Sequence, residues 1–268
     1  MTNVLVGADP ELFVYKDGKA VSAFGMIEGD KKHPFVVDLG AVQVDGMALE
    51  FNIDPAHDEE QFVNHINTVM DALKGMVPDY EVRAEPVAEF EMEYIKQQPM
   101  EAVMFGCDPD FCAWTGEINQ SANPNVPYRT GAGHVHIGWT NVKNSFEKNH
   151  YNKCIDLVKQ MDFYLGLPSL LFANDYKRRS MYGNPGCFRP KKYGCEYRVL
   201  SNCWLRSDNL KRWVYRNVQK GFERLVKGEA LYEMTDLSIL ENLIIEKPNL
   251  DKVSNTLSDL GVDLPEVA

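Results

Sequence analysis

Short runs in which apolar and polar residues alternate dominate the first half of the chain. Phe13-Val14-Tyr15 and Ala20-Val21 flank Lys16-Asp17-Gly18-Lys19, and Val42-Gln43-Val44 and Met47-Ala48-Leu49 flank Asp45-Gly46. Asp-Gly supplies the backbone of a two-residue turn, so this spacing predicts two hairpins and therefore antiparallel sheet. In the second hairpin Met47, Leu49 and Phe51 alternate with Ala48, Glu50 and Asn52, which puts Glu50 on the face opposite the apolar one. A helix is predicted over 59–74: Asp58 can cap it, Gln61 completes a capping box, and Phe62, Ile66, Val69 and Leu73 form one stripe that Gly75 ends. Strands are expected around Tyr80–Phe90, Phe111–Trp114 and His134–Trp139.

The period then changes. A helix is expected over 147–166, interrupted by Pro168, with Leu170–Arg179 helical beyond it and Tyr193–Leu200 a strand. Residues 208–227 form an amphipathic helix capped by Ser207, with Leu210, Trp213, Val214, Phe222 and Leu225 inward, and weaker helices cover 236–245 and 249–260. Strands followed by helices, without βαβ alternation, predict an α+β fold: one domain over 1–268, β-rich through 140 and mostly helical from 141, with a strand near 193–200.

Composition narrows the class. The 268 residues are 44% apolar and 25% charged, which is globular, and no heptad persists. No apolar run approaches the roughly 18 residues that span a bilayer, and the start has no basic leader, so a cytoplasmic protein is expected. The six cysteines, at 107, 112, 154, 187, 195 and 203, include no Cys-x-x-Cys pair and are expected as free thiols. Charge is divided: residues 1–127 hold 7 Lys and Arg against 23 Asp and Glu, whereas 128–268 hold 21 against 16. Such an acidic chain is a poor non-specific nucleic-acid binder. Within it, Lys177 to Arg198 carries seven basic residues (Lys177, Arg178, Arg179, Arg189, Lys191, Lys192 and Arg198) and a single acid, Glu196. That stretch could hold a compact anion such as a polyphosphate, or be a solvated basic surface.

Three polar pairs sit at strand spacing. Asp9 and Glu11 share a face about 7 Å apart, as do His134 and His136, and Glu196 and Arg198. Burying all three is costly without partners, so the economical reading is one shared cavity holding a divalent cation and an anion. Hard oxygen donors (Asp9, Glu11, Glu50, Glu196) with one imidazole favour magnesium or manganese over zinc. The segment Gly7-Ala8-Asp9-Pro10-Glu11-Leu12-Phe13 also has a partial echo in Gly106-Cys107-Asp108-Pro109-Asp110-Phe111.

The order of these motifs resembles the glutamine synthetase superfamily of carboxylate–amine ligases, most closely its phage-associated type 2 amidoligases. Gly7 to Val14 looks like the family's first acidic strand, Gln43 through Glu50-Phe51-Asn52 its second, and Gly131-Ala132-Gly133-His134-Val135-His136 its Gly-rich His-x-His strand. Arg178-Arg179, Phe188-Arg189-Pro190 and Cys195-Glu196-Tyr197-Arg198 follow in the family's order. The resemblance implies a curved antiparallel sheet packed by helices, with Asp9, Glu11, Glu50, His134 and Glu196 as magnesium ligands. It implies nucleotide-phosphate contacts from His136, Arg178, Arg179, Arg189 and Lys191, and assigns the acyl phosphate or substrate carboxylate to Arg198; Arg198, Arg189 and Glu50 would be the catalytic groups. The family usually has Glu where this chain has Asp9, so that ligand is one methylene short and would act through water.

The expected activity is therefore ATP- and magnesium-dependent (or manganese-dependent) formation of an amide or isopeptide bond, releasing ADP, between a small-molecule or peptide carboxylate and an amine, without a membrane partner. If the chain is phage-encoded, the compartment is the host cytoplasm. Two rivals stand beside this reading: a metal-dependent hydrolase with His134 and His136 as ligands, and an inactive binding module of the same fold. The substrates, the oligomeric state and the role of Asp108 and Asp110 are not read from the sequence.

Overall fold

The computed structural model describes residues 4–104, 109–120 and 123–266. Its centre is a long strand, β1 (Leu5–Lys16), with twelve residues in alternating register. Among the described residues eleven further strands follow: β2 (Lys19–Val21), β3 (Phe35–Val37), β4 (Gly40–Asp45), β5 (Ala48–Ile53), β6 (Glu81–Arg83), β7 (Val87–Glu89), β8 (Phe111–Cys112), β9 (Tyr128–Thr130), β10 (Gly133–Gly138), β11 (Cys187–Lys191) and β12 (Gly194–Tyr197). The main sheet runs β3-β4-β5-β1-β10-β12-β11-β8, with β2 and β6 also pairing with β1, and each of these pairings is antiparallel. A large antiparallel sheet with helices packed on it makes the class α+β, as the change of period predicted.

The alternation sorts the two faces of the sheet. Leu12 and Val14 of β1, Leu49 and Phe51 of β5, Val135 and Ile137 of β10, and Cys195 and Tyr197 of β12 are buried in one core with Phe62, Ile66, Leu157, Trp204 and Trp213. The stripe of helix Glu59–Met76 covers this face, and Phe62 stacks on Trp204 with ring centroids 5.9 Å apart. Helix Asp208–Val226 buries Leu210, Trp213, Val214 and Val218 beside it. On the other face β1 presents Asp9 and Glu11, then Phe13 and Tyr15, the last two packing with Met47, Phe90 and Ile95 in a smaller cluster. The site-bearing face is thus polar at the middle of the sheet and apolar at one end.

Local signals fixed several elements. The β1–β2 turn places Asp17 and Gly18 at positive φ, 52° and 76°, which is the backbone that Asp-Gly adopts at least strain. Asp58 accepts from Gln61 N at 2.8 Å, capping the first helix. Other boundaries moved. The β4–β5 register pairs Asp45 with Ala48, so the turn residues are Gly46 and Met47. The first helix continues through Gly75 to Met76, and the segment 80–90 is two short strands rather than one. Helix Lys148–Met161 changes to a π turn over Asp162–Gly166 before Pro168. Widening the turn there relieves the clash between the proline ring and the preceding carbonyls. Residues 176–179 are the only helical part of 170–179, the segment 237–243 is a 3-10 helix, and Phe222 and Leu225 are half-buried. Two short helices, Met92–Lys96 and Met100–Val103, had no prior signal. Cys112, Cys154, Cys187, Cys195 and Cys203 are free thiols, and Cys107 lies outside the described residues. Among the described residues no helix is long and apolar enough to cross a membrane.

Candidate active site

Register brings the polar pairs together across four neighbouring strands. Glu11 of β1 faces Glu50 of β5, and Asp9 of β1 faces His134 of β10. His136 of β10 faces Glu196 of β12, which in turn faces Arg189 of β11. Because side chains alternate, all of these project from the same face. The turn before β10 makes this approach close: a Cβ on Gly133 would stand 2.3 Å from Ser201 O and 2.5 Å from Trp204 Nε1. Only glycine fits there, which explains why the His-x-His strand is entered through Gly131-Ala132-Gly133.

The centre is dense in charge. Asp9 Oδ1 lies 2.9 Å from His136 Nε2 and 3.3 Å from His134 Nδ1, and His134 Nδ1 lies 3.5 Å from Glu196 Oε1. Glu196 is fully buried and gathers three cations: Lys191 Nζ at 2.8 Å, Arg189 Nη1 at 3.5 Å and the guanidinium of Arg198. Arg198 also donates to Asp110 Oδ2 at 3.1 Å. Asp110 is therefore the second-motif residue that reaches the site, while Asp108 lies outside the described residues. On the acidic side Gln43 donates to Glu50 at 2.7 Å, and Ala132 N donates to Glu11 at 2.9 Å. Beyond Glu50, Lys31 pairs with Asp45 at 2.6 Å, and both border a cavity of about 350 Å³ with Phe24, Ile27, Val44 and Glu101.

These surroundings drive the ionisation states apart. Burial, reinforced by Asp45, raises Glu11 to about 7, and burial with Asp9, Asp45 and Glu11 nearby holds Glu50 well above the usual carboxylate range. Asp9 goes the other way, because His136 and His134 outweigh the burial that opposes its charge. Burial also opposes the charge of Glu196, but Arg198 beside it outweighs that and keeps the carboxylate ionised. His134 falls to about 4 through burial and the neighbouring Arg198, whereas His136 rises because Asp9 overcomes its burial. Three carboxylates within one field, two of them held towards the proton-bound form, constitute an excess of acceptors that a cation would relieve.

The donor atoms fit a divalent cation. Asp9 Oδ1, His134 Nδ1 and His136 Nε2 are buried and face one another, with no further hydrogen-bond partner. The ligating atoms of Asp9, His136 and Glu196 all lie within 4.8 Å of one another. The opposite ring nitrogens are taken: His134 Nε2 meets Tyr182 Oη at 3.0 Å, and His136 Nδ1 meets Tyr193 Oη. Of the five residues expected as metal ligands, Asp9, His134 and Glu196 form this knot, and Glu11 and Glu50 stand side by side next to it. His136, expected at the phosphates, turns towards Asp9 instead.

Two expected phosphate contacts are engaged elsewhere. Arg178 is fully buried and donates to the backbone carbonyls of Val199 at 2.7 Å and Leu200 at 2.8 Å. Arg179 pairs with Asp175 and donates to Leu243 O at 2.8 Å. Both guanidiniums tie the 176–182 segment to the strand end beside the site, because buried carbonyls need donors and arginine supplies several at once. Arg189 and Lys191, also expected at the phosphates, stand next to Glu196. Tyr182, Tyr193 and Asp110 were missed by sequence reasoning; each lies within or near a recognised block, but hydroxyl and carboxylate contacts across 48 to 88 residues leave no periodic trace.

No curated protein matches the chain. The stretch with the site's histidines, Tyr182, Arg189, Glu196 and Arg198 is covered by one family: the model described as Phage phiEco32-like COOH.NH2 ligase-type 2 matches residues 117–220, bearing out over that segment the resemblance to phage-type carboxylate–amine ligases.

Proposed function

We propose that the protein is an ATP- and magnesium-dependent carboxylate–amine ligase, a single domain of the glutamine synthetase-like type acting in the cytoplasm, that of the host if the chain is phage-encoded. The observation that carries this reading is the meeting of two opposite clusters on one sheet face: Asp9, Glu11 and Glu50 on one side, and Arg189, Lys191 and Arg198 around Glu196 on the other. The ligase-family match over 117–220 supports the reaction class.

Joining a carboxylate to an amine in water is uphill. In this reading a substrate carboxylate oxygen attacks the γ-phosphorus of ATP, the bond to the β-phosphate oxygen breaks, and ADP leaves. The amine nitrogen then attacks the acyl carbon, inorganic phosphate leaves and the nitrogen gives up a proton. Such transfer depends on positioning and charge neutralisation more than on covalent help from the protein. Asp9, Glu11, Glu50, His134 and Glu196 would hold the magnesium, which when bound neutralises phosphate charge and aligns the oxygens. Arg189 and Lys191 would grip phosphate oxygens, and Arg198, anchored by Asp110, would present its planar fork to the acyl phosphate. Arg178 and Arg179 would shape the wall rather than touch the nucleotide.

A second reading, a metal-dependent hydrolase, is favoured by one observation: both imidazoles face Asp9. Hydroxylamine separates the two, since it traps acyl phosphates as hydroxamates whatever the natural amine. With a panel of carboxylates, ATP-dependent hydroxamate formation with ADP as co-product is expected. Amide cleavage by the metal-loaded protein without nucleotide would overturn the ligase reading.

A further inference from the structure

We propose that Cys112 and Cys187 are a redox pair, which a small-molecule disulfide of the glutathione class converts to a cross-strand disulfide that ties β8 to β11 and fixes Asp110 against Arg198. The bridge itself goes beyond the ligase reading; only its effect on turnover rests on that reading.

Register carries the assignment. Cys187 of β11 stands directly opposite Cys112 of β8. A backbone bond between the strands runs from Ala113 N to Gly186 O at 2.8 Å, one residue beyond the pair on each strand, whereas Cys112 N donates to Glu117 O and Cys187 O accepts from Arg198 N. The cysteines are therefore a non-hydrogen-bonded pair, the kind in which opposed Cα atoms stand about 4.5 Å apart and the two side chains leave the same face. Disulfides span Cα separations of about 4.4–6.8 Å, so the bridge closes without rearranging the sheet. Gly186 lets the chains come this close: its φ is +77°, and a Cβ there would stand 2.5 Å from Trp114 Cδ1.

Access is one-sided. Cys154, Cys187, Cys195 and Cys203 are buried, and Cys112 alone among the described cysteines is partly exposed. It lines a cavity of about 530 Å³ with Trp114, Pro185, Leu237 and Ile244, which gives the reagent a way in. Burial pushes the Cys187 thiol up to about 12, so Cys112 attacks first and Cys187 resolves. The Cys112 sulfur attacks one sulfur of the reagent, the reagent's S–S bond breaks, and one thiol leaves with the Cys112 proton. The Cys187 sulfur then attacks the Cys112 sulfur, and the second thiol leaves with the Cys187 proton: two cysteines are oxidised and one disulfide is reduced to two thiols. In a reducing compartment such a bond is a reversible switch rather than a permanent staple. Its target is Arg198, which both tied segments hold: Arg198 Nε donates to Asp110, two residues before Cys112, at 3.1 Å, and Arg198 N donates to Cys187 O at 3.0 Å.

The test equilibrates the full-length chain at graded ratios of oxidised to reduced glutathione. Non-reduced tryptic digests should show one link, between fragments 97–129 and 180–191. Cys107 shares the first fragment, so Cys107→Ser should keep the link and Cys112→Ser should lose it. Amide exchange over 110–119 should slow by about tenfold or more in the bridged form. In the hydroxamate assay the KM for the carboxylate should fall about threefold or more on oxidation of the wild type but not of Cys112→Ser, because an Arg198 already fixed loses less freedom on binding. Cys112 left as a mixed disulfide with glutathione, a link made through Cys107, or exchange unmoved by the bridge would overturn the proposal, as would an equal KM in both forms of an active ligase. Failure of the ligase reading would look different: no ADP release in either form, with the link and the slowed exchange still present.

Discussion

Asp162 sits in the π turn with no exposure to solvent, and its carboxylate accepts from Trp114 Nε1 at 2.6 Å and from Tyr197 Oη at 2.7 Å. Burial raises it to about 7 from an ordinary 3.8, the hydrogen bonds from Trp114, Tyr197 and the Gly186 backbone opposing that rise only in part. The folded state therefore binds this proton more tightly than the unfolded chain does. Its contribution to stability is fully present below the unfolded value near 3.8 and is lost as the pH rises through about 7. Three units at about 1.36 kcal/mol each give up to about 4 kcal/mol across that window. Asp162→Asn keeps the shape and removes the proton, so the variant should gain stability on wild type as pH rises, by up to the same 4 kcal/mol or so. Urea unfolding of both proteins from pH 4.5 to 8, followed by tryptophan fluorescence, measures this. Contributions from Glu11, Glu50 and His134 are common to both proteins and cancel in the difference. Parallel stability curves would refute the reasoning, because Asp162 would then be ionised in the fold throughout.

Two further expectations concern the arginines. Arg198→Lys keeps the charge but loses the planar fork shared between Glu196 and Asp110, so turnover in the hydroxamate assay should fall about tenfold or more with the circular dichroism spectrum intact. Unchanged turnover would reduce Arg198 to a buried ion pair. Arg178→Met leaves the carbonyls of Val199 and Leu200 without their donor and should lower unfolding free energy by about 3 kcal/mol or more. A variant of normal stability that no longer binds ATP would return Arg178 to a phosphate contact.

What the sequence revealed was local or periodic. The Asp17-Gly18 turn, the Asp58 cap and the stripe Phe62, Ile66, Val69 and Leu73 each act within a few residues and are present, whereas the second hairpin turns one residue later, at Gly46-Met47. Strand parity likewise put Glu50 opposite the apolar face, and β1 carries Asp9 and Glu11 on the face that Glu50, His136 and Glu196 share. Pairing itself was not legible, since β1 meets β10 across more than a hundred residues. Nor does a sequence distinguish an arginine that binds phosphate from one that binds carbonyls: Arg178, Arg179 and Arg189 stand in one basic block, yet burial assigns the first two to the backbone. Tyr182 and Tyr193 meet their histidines only once the chain has folded, across 48 and 57 residues.

The central place of β1 has a bearing on the unfinished chain. Its β5 neighbour is made within the first 53 residues, while β10 is complete only at Gly138, so β1 keeps an open edge during most of that synthesis. An unpaired edge invites another nascent chain to add a strand, and charged side chains pointing from such a strand discourage this. Asp9 and Glu11 lie on that very strand, with Glu50 across from Glu11. Until the second half is translated, these carboxylates lack the histidines and arginines that face them in the finished sheet, and charge on an open strand is what discourages edge-to-edge pairing.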